Sequence, residues 1–190
     1  THPVAYAPST VPNERFHVVP RELPLLLIKE IIDGFEVSAA HMRQAGLDGV
    51  ELVASHGYLL GQFLNSNINQ RSDAYGGSRA GRMRFLQEAI AATRRGAGED
   101  MVLGVRLSGE EKDHHGVEID EMLEVCAAMD ANPALDYLNV IAGTSAGLAG
   151  STHIVPPMAY DAAYTAPIAA AIKARVSKPV FVAGRINQPQ

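Results

Sequence analysis

The chain has 190 residues, of which 47% are hydrophobic and 19% charged, so it can bury a sizeable core as a folded globular protein. Its net charge of −5 and scattered Lys and Arg residues argue against a nucleic-acid partner or an anionic membrane surface. No apolar run approaches the roughly 20 residues that cross a bilayer. The lone cysteine, Cys126, excludes an internal disulfide or a CxxC metal site, which favours the cytoplasm.

The predicted elements start after a proline-rich stretch. Residues 1–20 contain four prolines and no apolar period, which predicts an irregular loop. Helical spacing of apolar residues over 25–45 is followed by Gly46, a typical helix stop. The β-branched run 50–54 predicts a buried strand. The same reasoning gives helix 78–95, strand 101–107, helix 119–129, strand 136–141, a loop to 163, a helix to 176 and strand 179–183.

Strand and helix thus alternate four times, and each strand is a nearly continuous apolar run. This pattern indicates a parallel sheet covered by helices, which is the α/β class. A doubly wound sheet and an eight-stranded barrel both fit the alternation. No GxGxxG follows any strand, so the barrel is favoured. The chain lacks an initiator Met and stops just after an apolar run, so we expect it to be a segment of a longer protein.

Candidate functional residues follow the predicted strands, because ligands bind at the carboxyl ends of parallel strands. Arg106 lies inside an apolar strand and needs an anionic or carbonyl-rich partner, since its guanidinium keeps its charge. A structural ion pair with Glu51 or Asp136 is the alternative. Gly184 and Arg185 suit phosphate recognition, with a solvated loop arginine as the alternative.

His56 and Tyr58 are two residues apart after the first buried strand. If the chain stays extended there, both side chains point to one side and could bind a substrate oxygen and deliver a proton. A packed loop histidine and a core tyrosine are the alternatives. The run Lys112–His115 looks more like a solvated polar loop than a metal site, so no metal is predicted.

Several stretches resemble the old yellow enzyme-type NADH:flavin oxidoreductases. The likeness covers nearly the whole chain and is carried by Asp48–Leu52, His56–Leu60, Gln62–Leu64, Asn69–Ser78, Arg82, Arg84–Leu86, Gly104–Ser108 and Val182–Asn187. The stretch Asn69–Ser78, which reads NQRSDAYGGS, is the most specific of them. The resemblance implies a (β/α)8 TIM barrel, incomplete here, with about strands four to seven of eight. Residues 1–190 would be the central to late part of one FMN-binding barrel domain.

The resemblance also implies a chemistry. FMN would bind at the top of the barrel, NADH or NADPH would reduce it, and hydride would pass to an activated alkene or come from an N-methylated amine. By position, Arg106 matches the arginine that contacts the flavin ring, and Gly184 with Arg185 match the part that contacts its phosphate. His56 matches a residue that hydrogen-bonds substrate or flavin, and Tyr58 matches the proton donor of the alkene reductases.

The sequence departs from the family pattern at Val53, where many members carry a first His or Tyr that pairs with the His56 position. The likeness is therefore to the branch of dienoyl-CoA reductases, trimethylamine dehydrogenase and N-methyl amino-acid demethylases. Longer members carry an iron–sulfur cluster on cysteines outside this span, about which Cys126 says nothing. His153, in a loop on the substrate side, is a weak candidate for a substrate contact.

Two other functions stay open. Gly143–Gly147 fits the GxSxG pattern after a strand, which suggests a serine hydrolase with Ser145 as nucleophile. The only later histidine, His153, precedes Asp161, so a full triad cannot be drawn in the usual order. The chain could also be a non-catalytic barrel fragment, since four strands cannot close a barrel. The small-molecule substrate, the choice of NADH or NADPH and a homo-oligomeric state stay open.

Overall fold

A computed structural model describes residues 4–188. The helices and strands follow one another in the order β1 (Tyr6–Ala7), β2 (Arg21–Glu22), α1 (Leu25–Gln44), β3 (Gly49–Ala54), α2 (Leu59–Leu64), α3 (Arg79–Ala97), β4 (Val102–Glu110), α4 (Ile119–Asp130), β5 (Tyr137–Ala142), α5 (Leu148–Ser151), α6 (Ala166–Lys173) and β6 (Val180–Val182). The predicted strand and helix alternation is confirmed from α1 to β6.

The main sheet is parallel and its strands lie in chain order, β3-β4-β5-β6. A doubly wound sheet reverses its strand order at a switch point, whereas a (β/α)8 barrel adds each strand beside the last. The sequential order therefore favours the barrel. In the described part of the chain, β3 and β6 each pair with one neighbour only, so the sheet is an open segment of a barrel wall.

Alternate residues of the strands face the helices and form the core. Leu103, Val105, Leu107, Leu138 and Val140 are completely buried there. They pack against side chains from α3, α4 and α6, including Phe85, Ile90, Met122, Met129 and Ile172. Burying each such side chain contributes roughly 1.5–3 kcal/mol. The opposite face of the sheet carries the polar residues of the candidate site.

Four short elements were not predicted, the strands β1 and β2 and the helices α2 and α5. The expected loop 1–20 is largely irregular, but Tyr6–Ala7 pairs with Arg21–Glu22 in a small parallel sheet; residues 1–3 of this loop lie outside the described part. Helix α2 occupies six residues after β3, and α5 four residues after β5. Each is too short for a helical period to show in the sequence.

The signature stretch Asn69–Ser78 holds backbone segments together. Arg71, whose side chain is 2% exposed, donates from Nη1 to the carbonyls of Pro8 and Leu23 at 3.0 and 2.8 Å. Its Nε donates to Asp73 Oδ1 at 3.0 Å. Asn69 donates to two further backbone carbonyls at 2.8 Å each. The stretch therefore fixes the connection from α2 to α3 and ties the N-terminal segment to it.

Arg82 extends this network into the next element. It donates to the carbonyls of Leu64 and Gly77 at 2.9 and 2.7 Å and forms an ion pair with Glu121 on α4. Because Arg82 is 9% exposed, these partners satisfy a guanidinium that would be costly to bury alone. Two of the arginines that carry the family resemblance thus have structural roles.

Candidate functional site

The candidate site lies where β3, β4 and β5 end, and hydrogen bonds tie these ends together. The His56 N–H donates to Ser108 Oγ at 3.1 Å, and Ser108 Oγ donates to the Gly143 carbonyl at 2.8 Å. The Ser145 N–H donates to the His56 carbonyl at 2.8 Å. The backbone of His56 is therefore held by two hydrogen bonds, one to the Ser108 side chain on β4 and one from the Ser145 N–H after β5.

His56 and Tyr58 are close to each other, but the chain between them is not extended as expected. His56 and Gly57 have positive φ values of 57° and 71°, so a tight left-handed turn follows the strand. The two rings still meet edge to face with centroids 6.0 Å apart. Tyr58 is 55% exposed, so it is not the core tyrosine of the alternative interpretation.

The pKa of His56 is lowered from its ordinary value, first by burial and then by the positive charge of Arg106. The imidazole is therefore neutral at pH 7. Its Nδ1 is buried and has no hydrogen-bond partner among residues 4–188. A neutral ring with a free nitrogen can accept or donate one more hydrogen bond, as a ligand contact requires.

Arg106 forms an ion pair with Glu51, as one alternative interpretation proposed. Arg106 Nε and Glu51 Oε1 are 2.8 Å apart. The other carboxylate oxygen of Glu51 accepts from the Tyr137 hydroxyl at 3.0 Å and from Asn139 Nδ2 at 2.9 Å. Asp136, the other proposed partner, pairs with Arg94 instead, at 2.8 Å. The partner of Arg106 thus comes from the adjacent strand β3.

The surroundings of this ion pair explain two further features. Burial and the hydrogen bond to Glu51 raise the pKa of Tyr137 to about 12, so its hydroxyl stays protonated and donates. A Cβ on Gly104 would collide with the Tyr137 ring, so only glycine leaves room for this tyrosine. Hydrogen bonds from β5 therefore hold the Glu51 carboxylate in place, and its ion pair with Arg106 orients the guanidinium.

The ion pair leaves two polar atoms without a hydrogen bond. The Arg106 Nε–H does not point well enough at Glu51 to make a hydrogen bond despite the short distance. Asn139 Oδ1 is also buried and unpaired within the described chain. Unpaired buried polar atoms are costly, so a donor and an acceptor here suggest a ligand contact. Val53, the register partner of Arg106, adds an apolar surface that is 39% exposed.

Gly184 and Arg185 follow β6 in unusual backbone conformations, with φ values of 139° and 54°. A Cβ on Gly184 would lie 2.5 Å from Thr165 Oγ1 and Cγ2, so glycine is required here by packing against Thr165. Arg185 Nη1 donates to the Pro157 carbonyl at 3.2 Å, while its Nε is buried without a partner among the described residues. Arg185 is thus partly buried, and one of its N–H groups has no hydrogen-bond acceptor among the described residues.

His153 lies in an aromatic cluster with Tyr160 and Tyr164, at centroid distances of 4.5 and 5.6 Å. Burial, with a smaller effect of Lys112, lowers its pKa. Its Nδ1 has no partner in the described part of the chain.

Ser145 is only 7% exposed, and no described hydrogen bond joins its hydroxyl to a histidine. This geometry gives the hydrolase interpretation no support.

The run Lys112–His115 is a polar loop, as expected, in which the two histidines are exposed while Lys112 and Asp113 are partly buried and paired with neighbouring residues. Lys112 Nζ lies 2.6 Å from Glu110 Oε2. The Asp113 side chain is 4% exposed and accepts from the Gly150 N–H at 2.9 Å. Within residues 4–188, no three His, Cys, Asp or Glu side chains are grouped as metal ligands.

A cavity of about 640 Å³ is lined in part by Tyr58. Its walls come from the N-terminal segment, from the turn after β3, and from the loops after β4 and β5.

Sequence reasoning missed both this cavity and Asn139. A polar residue between apolar neighbours in a buried strand is the signal that could have identified Asn139.

Comparison with known proteins places these features in context. A family model described as NADH:flavin oxidoreductase / NADH oxidase family matches residues 3–190. N,N-dimethylglycine/sarcosine dehydrogenase from Chromohalobacter salexigens is 35% identical over 162 residues, which are 85% of this chain and 23% of that protein. A metal reductase from Desulforamulus reducens is 38% identical over 186 residues, covering 97% of this chain and 27% of that protein.

Among solved structures, a complex of 2-naphthoyl-CoA reductase with 2-naphthoyl-CoA matches with a TM-score of 0.89 and 27% identity, covering 99% of this chain and 28% of that one. The chain thus spans about a quarter of the length of each of these three proteins. These matches confirm the resemblance and the incomplete barrel.

No helix within residues 4–188 is long and apolar enough to span a membrane.

Proposed function

Because the chain belongs to the NADH:flavin oxidoreductase / NADH oxidase family, we propose that the protein containing it is an FMN-dependent oxidoreductase using NADH or NADPH. Residues 1–190 are then the central to late part of one FMN-binding barrel domain. Bound FMN supplies reversible two-electron chemistry, by which hydride passes from the nicotinamide nucleotide to an activated alkene, or from an N-methylated amine to the flavin.

The two unpaired atoms on the inner face of the sheet support this proposal most strongly. The pyrimidine part of a flavin has carbonyl acceptors beside an N–H donor. Arg106 Nε lacks an acceptor and Asn139 Oδ1 lacks a donor among the described residues, so together they fit such an edge. Glu51 would keep Arg106 oriented, because it bonds to β5 through its second oxygen.

The phosphate end of FMN would lie at the carboxyl end of β6. Arg185 would use the Nε–H that has no acceptor in the described chain, since guanidinium groups bind phosphate oxygens well. Gly184 would contribute the backbone turn that presents Arg185, and its own side-chain position is taken by Thr165. His153, in the aromatic cluster, is a weaker candidate for a substrate contact.

His56 and Tyr58 would act on the second substrate. A neutral His56 can donate a hydrogen bond to a substrate carbonyl oxygen and polarise it without adding a charge. Tyr58, exposed beside it, would donate the proton that completes reduction of an alkene. Val53 adds no hydrogen bond, so His56 alone would hold the substrate oxygen.

The remaining properties of the whole protein follow from the same proposal. A cytoplasmic location fits a chain whose one cysteine is buried and free. An iron–sulfur cluster, if the protein has one, would be bound outside this span. The partners would be small molecules rather than nucleic acid or membrane, and self-association into a homo-oligomer fits a barrel of this class.

The visible spectrum of the purified full-length protein tests the proposal. Flavin bands should be present and should bleach when NADH or NADPH is added without oxygen. A colourless protein that FMN cannot reconstitute would refute the proposal and return attention to the hydrolase and fragment interpretations.

We expect Arg106→Ala to weaken FMN binding about 10- to 100-fold, because hydrogen bonds to charged groups are worth about 1.5–3 kcal/mol. Fluorescence titration of FMN into the apoprotein measures this change. Arg95→Ala is the matched control, since Arg95 is 56% exposed and pairs with Glu36 on the helical surface. Equal FMN affinity in both variants would contradict the role of Arg106.

We expect Tyr58→Phe to slow reduction of an alkene substrate while flavin reduction by nicotinamide stays unchanged, because only the first of these steps needs the proton. A loss of about 10²- to 10⁴-fold is typical of a missing general acid. Stopped-flow absorbance measures the two half-reactions separately. Equal slowing of both would remove Tyr58 from the acid role.

A further inference from the structure

The Glu51 carboxylate lies in the row of inner-face residues next to the row that contains Arg106. Glu51 pairs in register with Gly104, and Gly104 pairs with Tyr137, so these three residues form one row across β3, β4 and β5. Because Gly104 has no side chain, the Tyr137 ring occupies the space over β4, where a Cβ would collide with it. The Tyr137 hydroxyl can therefore reach Glu51 from two strands away.

Contacts from two other strands hold the carboxylate in one position. Its Oε2 accepts from the Tyr137 hydroxyl at 3.0 Å and from Asn139 Nδ2 at 2.9 Å, while its Oε1 lies 2.8 Å from Arg106 Nε. Phe181 on β6 packs edge to face against the Tyr137 ring, with centroids 5.0 Å apart. All four strands of the sheet thus contribute to the placement of one negative charge beside Arg106.

This ion pair is poorly suited to a purely structural role. The Arg106 side chain is 37% exposed in the described part of the chain, and its Nε–H does not point well enough at Glu51 to make a hydrogen bond. Partly exposed ion pairs contribute little to stability. The arrangement instead fixes a carboxylate next to the guanidinium that the proposed function assigns to the flavin.

The charge of Arg106 acts on other groups in the site. After the larger effect of burial, it lowers the pKa of His56. Hydride transfer from NADH or NADPH adds two electrons and one proton to FMN, so the ring system gains one negative charge. A positive charge nearby stabilises this product and a negative charge opposes it. Glu51 therefore counteracts the effect that Arg106 has on reduced FMN.

We propose, on the basis of the flavin site proposed above, that Glu51 is a positioning residue that orients Arg106 and, by its charge, lowers the reduction potential of bound FMN. Without the carboxylate, the uncompensated charge of Arg106 would stabilise reduced FMN, which would then pass its hydride to an alkene less readily. Compared with a site that lacks it, Glu51 favours alkene reduction over amine oxidation.

The midpoint potential of FMN in the full-length holoprotein tests this inference. It is measured by anaerobic equilibration with a redox dye of known potential, followed by visible absorbance. Glu51→Gln keeps the size of the side chain and removes its charge. We expect the equilibrium between oxidised and reduced FMN to move at least about tenfold toward the reduced form, which is a rise of about 30 mV for a two-electron couple.

Two further variants separate the charge of Glu51 from its position. Glu36→Gln removes the same charge from an exposed ion pair with Arg95 on the helical surface, so it should leave the potential unchanged. Tyr137→Phe removes one hydrogen bond to Glu51 but keeps the charge. It should weaken FMN binding about 3- to 10-fold and change the potential less than Glu51→Gln does.

The outcomes distinguish this inference from the proposed function. If Glu51→Gln does not fold, the double variant with Tyr137→Phe removes the hydroxyl that faces the new amide and should show the same rise in potential. An unchanged or lower potential in a folded, FMN-loaded variant without the Glu51 charge would overturn the inference, and so would equal shifts in Glu51→Gln and Glu36→Gln. A wild-type protein that binds no FMN would refute the proposed function itself.

Discussion

Replacing Arg71 by alanine should loosen the N-terminal segment while leaving the sheet intact. Arg71 Nη1 holds the carbonyls of Pro8 and Leu23, and its Nε and Nη2 bind Asp73. Alanine would leave two backbone carbonyls and a carboxylate without their donor. Removing one partner of a buried ion pair costs about 3–5 kcal/mol. Because the Asp73 side chain is 32% exposed, we expect the lower end, about 3 kcal/mol.

Hydrogen exchange with mass spectrometry measures this loss locally in the full-length protein. The N–H groups of Asn13, Arg21 and Leu23 make hydrogen bonds inside the segment, so their exchange reports its opening. A loss of about 3 kcal/mol corresponds to roughly 100-fold faster exchange for peptides from this segment. Peptides from α4 should exchange at the wild-type rate.

Arg79→Ala is the matched control. Arg79 is 48% exposed and lies 3.7 Å from Glu124, so its loss should cost less than about 1 kcal/mol. If Arg71→Ala fails to fold, Arg71→Lys keeps the charge without reaching all three partners and should give an intermediate rate. Unchanged exchange of the N-terminal peptides in a folded Arg71 variant would refute the reasoning.

Two further predictions concern stability. Gly184→Ala should destabilise the full-length protein by about 1–3 kcal/mol, because alanine is strained at φ 139° and its Cβ would lie 2.5 Å from Thr165. Adding Thr165→Ala should restore part of the melting temperature, and no recovery would argue against the steric explanation. The hydrogen bond from Arg71 lowers the pKa of Asp73 below its ordinary value of 3.8. The stability that the Arg71–Asp73 ion pair contributes is therefore complete above about pH 4. It is lost as the pH falls through the lower pKa that Asp73 has in the folded state. The hydrogen-exchange rates of the N-terminal peptides should differ between wild type and Asp73→Asn at pH 6 and converge in strong acid. A difference that persists in strong acid would contradict the role of the Asp73 carboxylate.

The sequence was sufficient to predict the barrel segment because most residues of its strands are apolar, although β3 and β6 are only partly buried in the described part of the chain. Such strands read as apolar runs, and the helices between them keep a clear period. Helix α2 and the β1 and β2 pair could not be predicted, since elements of six and two residues depend on tertiary contacts. Arg71 supplies such contacts to the N-terminal segment.

The candidate site was predicted in part. Arg106 lies in a strand as predicted, and its ion-pair partner Glu51 was one of the two residues expected from neighbouring strands. The left-handed turn at His56 was missed, since a positive φ at a residue other than glycine is rare and leaves no mark in the sequence. Asn139 was missed because its importance arises only from an unpaired oxygen beside Glu51.

The network around Arg71 also affects how related genes can be interpreted. Asn69, Arg71 and Arg82 bond to carbonyls and carboxylates of the protein itself, so they mark an architecture. A descendant that lost its catalytic groups would still need these residues to fold. Proteins recognised by this stretch can therefore include inactive or repurposed relatives, and the residues at the strand ends, such as His56 and Tyr58, are the ones that separate them.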